Sequence, residues 1–83
     1  MNKNITYKLK RTDGTECLVH IISIKYLKEN HKAFFLIDVG EDRELGYLIF
    51  DEQNDWRFNG FLESNEQTQI SNFILESYNV PLH

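Results

Sequence analysis

The stretch ITYKLKRTDGTECLVHII, residues 5–22, decides the fold because it joins two strand patterns through one turn signal. In ITYKLKR apolar residues alternate with polar ones, which is typical of a half-buried strand. Asp13-Gly14 follows, and Asp-Gly between two strand patterns is the strongest short-range hairpin signal. The stretch therefore predicts an antiparallel hairpin closed by a two-residue type I′ turn.

A two-residue turn also fixes which residues of the two strands face each other. It places Leu9 opposite Leu18 and Ile5 opposite Ile22, so that apolar partners share one side of the sheet, called here the first face. The first face is then predicted to carry Ile5, Tyr7, Leu9, Leu18, Ile22, Ile24, Tyr26, Phe35 and Ile37. The second face is predicted to carry Val19, Ile21, Phe34 and Leu36.

Working outward, the sequence predicts further strands in chain order. The bounds are about 5–11, 16–27, 32–39, 44–50 and 56–58. The fourth strand has two possible registers. A four-residue turn before it sends Leu48 and Phe50 to the first face, whereas a five-residue turn sends Leu45, Tyr47 and Ile49 there.

The segment DEQNDWRFNGFL, residues 51–62, contains the chain's single tryptophan. Its first five residues are typical of a turn, and Trp56 and Phe58 alternate as a short fifth strand. We expect both aromatic side chains to cover the edge of the core. The alternative is a binding edge at Trp56 and Phe58.

A helix is predicted at about residues 65–78. Ser64-x-x-Gln67 has the pattern of a capping box, and Pro81 prevents continuation. Ile70, Phe73, Ile74 and Tyr78 recur at helical spacing. The predicted fold is a single α+β domain, residues 1–83, in which an antiparallel β-meander of four to five strands carries one C-terminal amphipathic helix packed on one face.

Composition excludes several classes of function. A net charge of −4 and a pI near 5.2 argue against nucleic-acid binding, because the basic residues form a single cluster, namely Lys3, Lys8, Lys10 and Arg11. No apolar run approaches the roughly 20 residues that span a bilayer, so no membrane partner is expected. One cysteine, Cys17, allows no internal disulfide, which predicts a cytoplasmic location; a domain cut from a secreted chain would look similar.

No pattern of catalytic or metal-binding residues is complete. Cys17 and His20 are three apart in a strand and point to opposite faces. The acidic run from Asp51 resembles the start of a calcium loop, but Trp56 stands where that loop requires glycine. We therefore predict no metal, no cofactor and no enzyme activity.

The predicted fold contains more apolar residues than one helix can cover. A helix of about 14 residues is roughly 21 Å long and covers one face of the sheet. Val19, Ile21, Phe34 and Leu36 on the second face would then be exposed, unless the sheet curls around them. We interpret them as an interface, which makes the protein a small interaction module or a homodimer. The alternatives are a small acidic inhibitor of the immunity type and a small apolar ligand-binding domain.

Overall fold

The computed structural model of the protein describes residues 4–25 and 30–77. These residues form an antiparallel sheet of five strands in chain order, followed by one helix. The elements are β1 (Asn4–Lys10), β2 (Glu16–Ile24), β3 (Lys32–Asp38), β4 (Arg43–Phe50), β5 (Trp56–Gly60) and α1 (Ser64–Ser77). The predicted α+β meander with a C-terminal helix is confirmed. The predicted end of the second strand, 26–27, and the helix residues from Tyr78 onward lie outside the described residues.

The turn between β1 and β2 differs from the predicted one by a single residue. Arg11 N–H donates to the carbonyl of Thr15 at 2.7 Å, and Gly14 N–H donates to the carbonyl of Arg11 at 3.0 Å. Gly14 has a φ of 92°. These bonds define a three-residue loop, in which a type I turn is followed by a residue of positive φ. The prediction of a two-residue type I′ turn is wrong.

The extra loop residue moves the register of the whole hairpin by one. Lys10 pairs with Glu16, so Leu9 lies opposite Cys17 and not opposite Leu18. A slip of one residue turns every side chain of a strand to the other face. The two faces predicted for β2 and β3 are therefore exchanged relative to β1.

The β4–β5 turn repeats the geometry of the first turn. Asp51 N–H donates to the carbonyl of Asp55, and Asn54 N–H donates to the carbonyl of Asp51, both at 2.9 Å. Asn54, with a φ of 65°, occupies the position that Gly14 holds in the first hairpin. The Asp51 carboxylate also accepts from the N–H groups of Gln53 and Asp55. The predicted turn chemistry of this acidic run is confirmed.

A bulge in β4 resolves the open question of its register. Leu36 pairs with Gly46 and Ile37 with Glu44, which leaves Leu45 as an extra residue. Gly46 has a φ of 135°, a conformation that favours glycine.

As a result of the bulge, both proposed registers contribute to the core. Leu45, the extra residue of the bulge, is buried, as are Leu48 and Phe50 after it. Tyr47 and Ile49 lie on the opposite face, paired with Phe35 and Ala33.

The helix is capped one residue earlier than predicted. Gln67 N–H donates to the carbonyl of Glu63, and Glu63 N–H donates to Glu66 Oε1 at 3.0 Å. The capping pair is therefore Glu63 with Glu66 in place of Ser64 with Gln67. No helix among the described residues is long and apolar enough to cross a membrane.

The helix packs against the sheet through the predicted stripe. Ile70 and Ile74 are buried, and the ring of Phe73 lies 4.5 Å from that of Tyr7, centroid to centroid. The buried core consists of Leu9, Val19, Ile21, Phe34, Leu36, Leu45, Leu48, Phe50, Leu62, Ile70 and Ile74.

Gln69 attaches the helix to the outer edge of β1. Its Nε2 donates to the carbonyl of Lys10 at 2.8 Å, and its Oε1 accepts from the N–H of the same residue at 3.1 Å. The side-chain amide thereby replaces one residue of a neighbouring strand. This contact covers part of an edge that could otherwise pair with another chain.

Candidate interaction surface

The four residues predicted to form an interface lie in the core. Val19, Ile21 and Leu36 are 0% exposed and Phe34 is 1% exposed, on the face that the helix covers. The three-residue hairpin loop explains this correction, because it turns these positions of β2 and β3 toward the side of Leu9. A partner cannot reach them without unfolding the domain.

The other side of the sheet, which we call the open face, carries the apolar residues of β2 and β3 that were predicted to lie beneath the helix. Its members are joined by direct pairing across the strands. One row runs Ile22, Phe35, Tyr47 and Asn59, and a second runs Ile24, Ala33, Ile49 and Arg57. Two further rows contain His20 with Ile37 and Glu44, and Lys8 with Leu18.

Large apolar side chains of the open face are accessible. Leu18 is 46% exposed and Tyr47 is 43% exposed. The ring centroids of Tyr47 and Phe35 lie 5.1 Å apart. Half-buried positions complete the apolar patch, namely Ile22, Ile24, Phe35, Ile37 and Ile49. Three strands about 4.8 Å apart and roughly 20 Å of strand length give a footprint on the order of 300 Å².

Charges around the open face are divided between its two sides. Lys8 and Lys10 stand on β1, and both are exposed. On the side of β4, Glu44 belongs to the same face, and the β3–β4 turn adds Glu41 and Asp42. Both groups are paired with opposite charges, because Lys8 Nζ lies 3.9 Å from Glu16 Oε1 and Arg43 Nη2 lies 3.7 Å from Glu41 Oε1. The margin of the open face therefore carries charges of both signs.

Trp56 and Phe58 lie at the edge of the core. Both are half-buried and pack against the core cluster. A Cβ atom added at Gly46 or at Gly60 would come within 2.8 Å of the Phe58 ring, so the two glycines make room for it. This placement supports the edge-of-core interpretation over a binding edge.

A shallow hollow beside Trp56 is mostly polar. Its volume is about 370 Å³, and its lining includes His31, Asp51 and Asp55. Since the Asp51 carboxylate accepts two backbone N–H groups of its own turn, it holds the turn together. Among the described residues, no group of three or more His, Cys, Asp or Glu side chains could hold a metal ion.

The potential nucleophiles are separated from the histidine of the sheet. Cys17 and Ser23 pair with Leu9 and Phe34 on the core face, whereas His20 pairs with Ile37 on the open face. A nucleophile needs a base within hydrogen-bond reach. Burial raises the pKa of the Cys17 thiol, and this effect outweighs the hydrogen bond from Arg11, which lowers the pKa. The raised pKa opposes formation of the thiolate.

An ion pair between the half-buried Arg11 and the buried Glu66 joins the first hairpin to the helix. Arg11 Nε lies 3.0 Å from Glu66 Oε2, which also accepts from Thr12 N–H at 3.3 Å. Burial raises the pKa of Glu66, but hydrogen bonds from the Glu63 backbone, Arg11 and the Thr12 backbone outweigh it, so the pKa lies below its ordinary value. The hydrogen bond to Glu66 in turn raises the pKa of Arg11. This cluster joins the hairpin to the start of the helix.

The residues of the open face were not identified as a site from the sequence. The signal that could have found them is the pairing of polar residues. In the observed register Lys10 faces Glu16 and Thr6 faces His20, whereas the predicted register placed Tyr7 opposite His20.

Comparison with protein-family models, curated proteins and solved structures gave no match to this chain.

Proposed function

We propose that the protein is a small non-catalytic interaction module whose open face binds a protein. The observation that carries this proposal is the exposed apolar patch around Phe35 and Tyr47. The solvent side of an antiparallel sheet is ordinarily polar. A contiguous apolar patch of about 300 Å² or more on a monomer is often functional.

Polar residues at the margin of the patch fit this proposal. Lys8, Glu44 and Arg57 are exposed at the sides of the apolar centre. A polar rim around an apolar centre is the usual composition of a protein interface. The net charge of −4 is compatible with the alternative of a small acidic inhibitor that binds a basic partner. The open face does not favour that alternative, because it carries basic as well as acidic residues. Cytoplasmic location and lack of enzyme activity stay predictions.

Site-specific photocrosslinking tests the proposal. Tyr47 is replaced by the photoreactive p-benzoylphenylalanine, and the full chain is irradiated in the cells from which it comes. Asn72, exposed on the helix, receives the same probe as the control. We expect defined adducts at position 47 that disappear when Leu18→Lys is added to the same chain. Equal labelling at positions 47 and 72 would overturn the proposal.

A further inference from the structure

We propose that the protein bound by the open face is a second copy of this chain, related by a twofold axis parallel to β3. This inference rests on the proposed function and specifies its partner. A twofold interface uses the same surface on both subunits, so that surface must be complementary to itself. The register of the sheet allows this requirement to be checked row by row.

Rotation about an axis above β3 exchanges β2 with β4 and preserves the position along the strand. Phe35 and Ile37 on β3 then meet their own counterparts in the second copy. Ile22 lies opposite Tyr47 of the second copy, because both belong to the row of Phe35. Ile24 lies opposite Ile49 of the second copy for the same reason, through Ala33. Each apolar row is therefore matched with an apolar row.

The same rotation also matches polar residues. His20 and Glu44 flank Ile37 in one row, on β2 and β4 respectively. The axis brings His20 of each copy against Glu44 of the other, so the contact occurs twice. Complementary potentials of this kind set the orientation of partners.

An axis perpendicular to the strands fits less well. It would exchange the row of Phe35 with the row of Ile37, and Glu44 would then lie over Tyr47 of the second copy. A carboxylate against the negative face of an aromatic ring loses hydration without gaining a partner.

The available area indicates a dimer of modest affinity. Five strands at about 4.8 Å spacing and roughly 20 to 25 Å of strand length give a footprint of about 500 Å². Standard interfaces bury about 800 Å² per partner. We therefore expect a dissociation constant in the micromolar range.

Sedimentation equilibrium of the purified full chain, with charge-reversal variants, tests the proposal. We expect a species of twice the 9.9 kDa chain mass at about 100 μM protein. His20→Glu should weaken association by about tenfold or more, because two carboxylates then oppose each other across the axis. Glu44→Lys should also weaken it, because His20 of the other copy then loses its hydrogen-bond acceptor. The double variant should recover most of the affinity, since it places opposite charges across the axis. Glu52→Lys, in the exposed β4–β5 turn, is the matched control and should change nothing.

Two results would overturn the dimer. One is a chain that stays monomeric at that concentration. The other is a dimer in which the double variant associates no better than the single variants, which would exclude the parallel axis. Photocrosslinking at position 47 separates this failure from that of the proposed function. A monomeric chain with adducts to a different protein, lost on Leu18→Lys, would refute only the second copy as partner.

Discussion

Leu→Ala substitutions at positions 36 and 18 test the exchanged faces directly. Leu36 is fully buried on β3, whereas Leu18 is 46% exposed on the open face. The chemical change is the same at both positions, so the difference in stability reports burial alone. In the register predicted from a two-residue turn, Leu18 would lie beneath the helix instead.

The expected magnitudes are well separated. Removing a fully buried leucine side chain costs about 2 to 5 kcal/mol of unfolding free energy. A domain of this length has a total stability of roughly 4 to 12 kcal/mol, so Leu36→Ala removes a large share of it. For Leu18→Ala we expect about 1 kcal/mol or less, because much of that side chain is already in water.

Thermal unfolding followed by circular dichroism measures the difference. One kcal/mol corresponds to about 4 to 8 °C in Tm for a domain of this size, so Leu36→Ala should lower Tm by about 10 °C or more. The scans are run at two low protein concentrations, because association would otherwise add to apparent stability. Equal losses for the two variants, or a larger loss at position 18, would refute the assignment of the faces.

Two further predictions concern the turns and the ion pair. Gly14→Ala should cost about 1 to 2 kcal/mol of unfolding free energy through the positive φ alone, since no atom lies within 4 Å of the added Cβ. Gly46→Ala should cost more, because its added Cβ would also lie 2.7 Å from the Gly60 Cα. Similar losses in chemical denaturation would contradict the close approach of β4 and β5. Because the folded pKa of Glu66 is lowered, its carboxylate stabilises the fold above its ordinary pKa of about 4.5, and this contribution is lost as the pH falls through the folded value. The free energy of unfolding should therefore decline less in acid for Glu66→Gln than for the wild type, and parallel pH profiles would exclude this role.

The sequence was sufficient to predict the elements but not the register. Alternation in β1, the acidic turn at Asp51 and the helical stripe through Ile70, Phe73 and Ile74 each depend on a few adjacent residues, and these were confirmed. The register depended on whether the loop at Asp13-Gly14 has two residues or three. Thr12-Asp13-Gly14-Thr15 fits both lengths, because a glycine satisfies either turn.

Normally the hydrophobic pattern of the second strand would decide between such loops. Here it could not, because β2 and β3 are apolar on both faces. Val19 and Ile21 suit a core as well as Leu18 and Ile22 do, and the same holds along β3. The bulge at Gly46 also escaped sequence reasoning, since it depends on pairing between β3 and β4.

The same two-sided apolar character explains why the surplus of apolar residues survived the exchange of faces. One helix covers one face, whichever face that is, and the other face of the central strands keeps its isoleucines and its aromatic pair. Polar residues are concentrated on the outer strands, with Thr6 and Lys8 on β1 and Arg57 and Asn59 on β5, while His20 and Glu44 flank Ile37 on the inner ones. Polar edge strands oppose uncontrolled pairing with other chains. An apolar centre between polar edges directs contact to the face of the sheet, which is the surface that a second copy can cover.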